Sequence, residues 1–168
     1  MEIHRTGIVA LAFGAPHILP SNILIGNTAR YLADRFQAPI LTQKDIQVPM
    51  NSRQTKITYF KGEVSGNPPS TFKILENAMQ WARDNTISEL IIVAALPHQK
   101  RIKRDLKLMD KRFKKVTYRF GAFENNPSSA VWYSGDSFQW WTKSSSLWKL
   151  REYILMKMPI SWYKKLSQ

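Results

Sequence analysis

Two short runs, Gly7-Ile-Val-Ala-Leu-Ala-Phe13 and Glu89-Leu-Ile-Ile-Val-Ala-Ala95, constrain the fold of this chain more than any other feature. Each is apolar almost throughout and carries β-branched residues. A half-buried strand alternates polar with apolar side chains, and an amphipathic helix interrupts its apolar stripe every few residues. A continuous run of this length suits a strand covered on both faces, as in a parallel sheet. Neither run approaches the roughly 20 apolar residues needed to cross a bilayer.

The segments behind these runs have helical period. Ile25, Ala29, Leu32 and Phe36 form one stripe, with Ser21 or Asn22 placed to cap the helix start. Phe72, Leu75, Met79 and Ala82 form a second, opened by Ser70 and stopped by Asn85. Ile102, Leu106, Met109 and Phe113 form a third. Shorter strands are expected over Pro39–Thr42, Lys56–Phe60 and Val116–Phe120, with a break from Gly62 to Pro69. Strand and helix in alternation predict an α/β fold: a Rossmann-like three-layer sandwich with a mostly parallel central sheet. Residues 121–146 read as loop with an aromatic cluster. Leu147, Leu150, Ile154 and Met158 then predict a closing amphipathic helix. With 168 residues and no internal linker, the whole chain is read as one domain.

Several chemistries are excluded by composition. There is no cysteine, hence no disulfide, thiolate metal site or cysteine nucleophile. The three histidines, His4, His17 and His98, lack zinc spacing, and no metal site is expected. No dinucleotide fingerprint, Walker-type phosphate loop or Gly-x-Ser-x-Gly elbow occurs, so no motif names a cofactor.

In open parallel sheets, ligands sit beyond the carboxyl ends of the strands, where helix N-termini converge and favour anions. Gly14–Asn22 and Leu96–Arg101 fall there. His98 follows the second strong strand. It is a candidate general base or hydrogen-bonding partner for a phosphate or ribose; the alternative is a helix-capping histidine. Arg101 can clamp an anion through its fork of N–H groups, or belong to a basic surface. Gly14 permits close backbone approach, or simply turns the chain.

Three segments in this order resemble the YdcF-like (SanA/ElyC-related) family of bacterial proteins. They are Val9–Gly14, then Leu75-Glu76-Asn77-Ala78, then the strand Ile91–Ala95 with His98-Gln-Lys-Arg101 behind it. The segment Trp148–Lys157, with Arg151-Glu152-Tyr153, is similar to the family's closing helix. The resemblance implies a pocket at the strand ends lined by Gly14, Glu76, Asn77, His98 and Arg101. Glu76 would orient His98 or Arg101, or accept from a ligand hydroxyl, and Asn77 would donate and accept. It implies an envelope-related role and a phosphorylated or nucleotide-like ligand, with transferase or hydrolase chemistry as an extension. The chain departs from the family at Ala15, Ile74 and Thr42-Gln-Lys-Asp45, where relatives carry a second glycine, a threonine and a glycine-rich turn.

The formal net charge of +13 favours anionic company. Lys100–Arg119 holds ten Lys and Arg against Asp105 and Asp110, a net of +8. An anionic small molecule is the first expected partner. The second is an anionic membrane surface, to which Trp148, Trp162 and Tyr163 among lysines would lend interfacial aromatics. The rival reading packs these aromatics on the core. Nucleic acid is supported by charge alone. The opening residues read as a strand rather than a secretory leader, which points to a cytoplasmic chain with peripheral membrane contact as the alternative.

Overall fold

The computed structural model describes residues 5–50, 55–61, 63, 69–109, 116–123 and 127–166. His4, Phe113, Lys111 and Lys114, together with most of the Gly62–Pro69 break, lie outside the described residues.

Five parallel strands form one sheet in the order β3-β2-β1-β4-β5. They are β1 (Thr6–Leu11), β2 (Ile40–Thr42), β3 (Ile57–Tyr59), β4 (Glu89–Ala94) and β5 (Thr117–Phe120). Helices α1 (Pro20–Phe36), α2 (Thr71–Asp84) and α3 (Leu96–Met109) alternate with them. The two apolar runs are β1 and β4, paired at the centre from Thr6↔Glu89 to Leu11↔Ala94. The expected Rossmann-like α/β fold is therefore present, with a sheet parallel throughout.

Continuous apolarity follows from this central position. Val9 and Leu11 of β1 join Leu90, Ile92 and Ala94 of β4 in the core under α2 and α3. Ile8 and Ala10 join Ile91, Val93 and Ala95 in the core under α1. Each strand thus buries alternate residues on opposite faces. The edge strands β3 and β5 have no fully buried residue and are correspondingly mixed in sequence.

Two start signals resolve differently. Ser70 caps α2, its hydroxyl accepting from the Lys73 amide at 3.2 Å. Ser21 and Asn22 do not cap α1. Its N-cap is Leu19, with Pro20 opening the first turn. Ser21 and Asn22 instead fasten the turn after β1: the Ser21 hydroxyl donates to Phe13 O at 2.9 Å, Asn22 Oδ1 accepts from the Phe13 amide at 2.9 Å, and Asn22 Nδ2 donates to Gly14 O and Pro16 O, each at 3.1 Å.

The closing helix α4 (Ser145–Lys157) forms, but its apolar stripe is not the buried one. Leu150 and Ile154 are exposed, and Trp148 is the buried residue. A further short helix, α5 (Ile160–Leu166), follows Pro159 and turns Tyr163 inward. There its hydroxyl donates to Asp105 of α3 and its ring meets Phe72 of α2 edge-on. No helix among the described residues is long and apolar enough to cross a membrane.

Candidate functional site

Strand order reverses between β1 and β4: the chain leaves β1 toward β2 on one side, and β4 leads to β5 on the other. A cavity of about 290 Å³ opens beyond the carboxyl ends of these strands. Ala12, Phe13 and Gly14 bring the end of β1 to it, Gln43 the end of β2, His98 and Arg101 the start of α3. Ser70 and Thr71 contribute the N-terminus of α2, and Trp148 and Arg151 close the wall from α4.

Backbone constraints fix the floor. Gly14 has φ +87°, and a Cβ there would lie 2.8 Å from Ser137 Oγ and 2.9 Å from Thr142 Oγ1. Those two hydroxyls are bonded to each other at 2.7 Å, and the turn after β1 is locked to the 121–146 segment through Ala15 O, which accepts from the Phe138 amide at 2.8 Å and the Ser137 hydroxyl at 3.3 Å. Gln43 braces the strand ends: its Oε1 accepts from the Ala12 amide at 2.8 Å and its Nε2 donates to Glu63 at 2.7 Å. Burial raises the Glu63 pKa above the usual carboxylate value.

His98 lies in the first turn of α3, not in a loop before it. Its Nε2 is 3.0 Å from Thr71 Oγ1 and 2.8 Å from Arg101 Nη2. A guanidinium only donates, so Nε2 accepts and the imidazole proton sits on Nδ1. The ring is held neutral: burial, then the charges of Arg101 and Arg151, push its pKa well below the ordinary histidine value. Phe13 and Trp148 pack around it, with the Trp148 ring edge-on at 5.5 Å.

Arg101 is 4% exposed and pairs through Nη1 with Glu152 of α4 at 3.1 Å. The Arg151 guanidinium lies 4.7 Å from the Trp141 ring and 5.6 Å from that of Trp148. Burial and the neighbouring Arg101 bring its pKa down to about 10. Burial also raises the pKa of Glu152, against the pull of Arg101 and Arg151. Two guanidiniums thus share one carboxylate, and that carboxylate stands behind Arg101 rather than in the cavity lining.

Two buried nitrogens here, His98 Nδ1 and Arg101 Nε, have no hydrogen-bond partner among the described residues. Both are N–H donors. Both are sealed from solvent; the lining itself brings Arg151, the Thr71 hydroxyl and the N-terminus of α2 to the cavity in a partly apolar surround, an arrangement suited to acceptor-rich anions.

Of the residues expected from sequence, Gly14, His98 and Arg101 meet at this cavity. Glu76 and Asn77 are half-buried on α2 and are not among its described lining residues; Glu76 pairs with Lys73 at 3.3 Å. His17 is exposed, and no cluster of three His, Asp or Glu able to hold a metal occurs among the described residues. Sequence reasoning missed Thr71, Gln43, Trp148 and Arg151. Thr71 carried a usable signal, since it follows a helix cap and its hydroxyl lies at a helix start. Ile74, where a threonine was the resembling pattern, lines the wall with an apolar side chain, and Thr71 supplies the hydroxyl.

Among the described residues of the basic run, Lys100, Lys103, Lys107 and Arg119 are exposed and two arginines turn inward. Arg101 is buried, and Arg104 turns inward to Asp105 at 2.9 Å and to Leu155 O at 2.8 Å. Of the three tail aromatics, Trp148 and Tyr163 are core residues and Trp162 is exposed. Comparison with known proteins returned no matching family model, no matching curated protein and no matching solved structure.

Proposed function

We propose that this chain binds a small phosphorylated or nucleotide-like ligand in the crevice between the carboxyl ends of β1 and β4. The carrying observation is the convergence of Gly14, Thr71, His98, Arg101 and Arg151 on one cavity at the N-terminus of α2. The Arg151 guanidinium and the helix N-terminus supply the positive charge and the N–H donors that phosphoryl oxygens accept from. The resemblance to the YdcF-like family supports the same site at Gly14, His98 and Arg101.

Transfer or hydrolysis is the catalytic extension of this reading. In the free protein the Nε2 lone pair of His98 is occupied by Arg101 and the ring resists protonation. An anion that draws the Arg101 fork toward itself leaves that lone pair facing only the Thr71 hydroxyl. It also offsets the positive charge that depresses the ring's pKa. Ligand binding thereby turns His98 from a spectator into a base.

The test is thermal stability against nucleotides, nucleotide-sugars and phosphorylated metabolites, since a ligand of the native state raises Tm. The expected result is a saturable rise for one ligand class. Affinity falls about tenfold to a hundredfold in Arg101→Ala, the worth of a hydrogen bond to a charged group. His98→Ala weakens it as well. Absence of any hit, or unchanged affinity in both variants, overturns the assignment.

A further inference from the structure

Helix α4 has two faces of opposite use. Trp148, Arg151, Glu152 and Leu155 turn toward the domain. Lys149, Leu150, Tyr153, Ile154 and Lys157 are exposed and recur at spacings of three and four, so they share one outward stripe. Leu150 is 55% exposed, Tyr153 65% and Ile154 51%. The stripe bears a continuous apolar ridge framed by two ammonium groups. The groove beside it gains a third, Lys100. The carboxylate there, Glu152, is engaged by Arg101 and Arg151.

We infer that this outward face of α4 docks on an anionic lipid bilayer. Leucine, isoleucine and a tyrosine ring suit the boundary between headgroups and acyl chains, where tyrosine keeps its hydroxyl wet. Lysine stems lie along apolar surface while their ammonium groups reach the lipid phosphates. A second copy of the chain is the poorer occupant, because an isologous contact sets the same basic stripe against itself. No helical span is needed: an amphipathic helix lying in the interface binds by apolar area plus charge. The surface lies outside the cavity between β1 and β4, so this inference does not rest on the ligand proposed there.

Co-sedimentation with vesicles of phosphatidylcholine alone, and of phosphatidylcholine with phosphatidylglycerol, tests it. The whole chain is expected to partition onto the phosphatidylglycerol vesicles at low salt and to leave them as salt rises. Each lysine near the surface contributes on the order of 1 kcal/mol, about fivefold in partitioning. The Lys149→Gln, Lys157→Gln pair therefore lowers binding about 25-fold, by the same increments. The Leu150→Ser, Ile154→Ser pair changes half-exposed side chains, lowers Tm modestly while the chain stays folded, and also loses vesicle binding. No partitioning onto phosphatidylglycerol vesicles, equal partitioning onto neutral ones, or full retention in both pairs overturns the inference. So does concentration-dependent self-association that the serine pair abolishes, which would assign the face to a second copy.

Discussion

At the residue scale the site turns on one histidine whose proton and lone pair are both assigned by its neighbours. Arg101 can only donate, so Nε2 accepts; burial and two guanidiniums keep the ring neutral. This has a consequence for stability. In the unfolded chain the imidazole takes up a proton as pH falls below its ordinary value of 6.5, while in the folded protein it does not. The unfolded state then binds the extra proton. The stabilisation tied to neutral His98 is full above about pH 6.5 and is lost as pH falls toward the depressed folded value, by up to about 1.4 kcal/mol per pH unit. Glu63, Asp105 and Glu152 have raised pKa values and act in the opposite sense. The informative quantity is therefore a difference between proteins. Urea unfolding from pH 7.5 to pH 5 should give a shallower acid-side loss in His98→Gln, which keeps an acceptor toward Arg101, than in the parent. Parallel curves would mean that His98 takes up its proton alike in the folded and unfolded chains, so that the fold does not depress its pKa. The position of His98 and Arg101 was legible because β4 is an unmistakable buried strand and its exit is a ligand-binding position by topology. The tautomer was not, since it depends on Thr71, 27 residues earlier, and on the fork of Arg101.

At the element scale, legibility followed burial symmetry. Strands β1 and β4 announced themselves because both faces are covered, and α2 because one face is. Helix α4 misled, because its stripe of Leu150 and Ile154 faces outward while Trp148 enters the core and Arg151 and Glu152 approach the site. Charged side chains inside and apolar ones outside invert the rule by which an amphipathic helix is read. Helix α5 was invisible for a related reason: its anchor is polar. Tyr163 donates to Asp105, which is fully buried, and Arg104 lies over the tyrosine ring at 4.2 Å while pairing with the same carboxylate. Burial raises the pKa of both Asp105 and Tyr163. Removing one partner leaves a buried acceptor unsatisfied, so Tyr163→Phe should destabilise by about 1–3 kcal/mol. Combining it with Asp105→Asn should cost less than the sum of the single changes, because the pair acts as a unit. Additive losses in urea unfolding would mean that α5 is held by its apolar contact with Phe72 alone.

At the scale of the whole molecule, charge and site can be separated. A net charge of +13 repels itself in the compact state, and any salt relieves part of that repulsion by screening. Phosphate adds exclusion from the surface, which strengthens burial generally. Both effects act on the folded chain wherever its charges lie, and neither depends on one arginine at the cavity. Site binding does depend on one, and it follows linkage: a ligand at a hundred times its Kd adds about 2.7 kcal/mol to stability. Inorganic phosphate is the smallest probe of the proposed anion site. At matched ionic strength it should raise Tm above the value in sodium chloride by more in the parent than in Arg151→Gln, whose side chain still fills space between Trp141 and Trp148 but carries no charge. The chloride response of the two proteins should be nearly the same, since one charge in so large an excess changes the global repulsion little. A phosphate surplus equal in both would assign the whole effect to bulk charge and exclusion. The cavity beside His98, Arg101 and Arg151 would then not be a phosphate site.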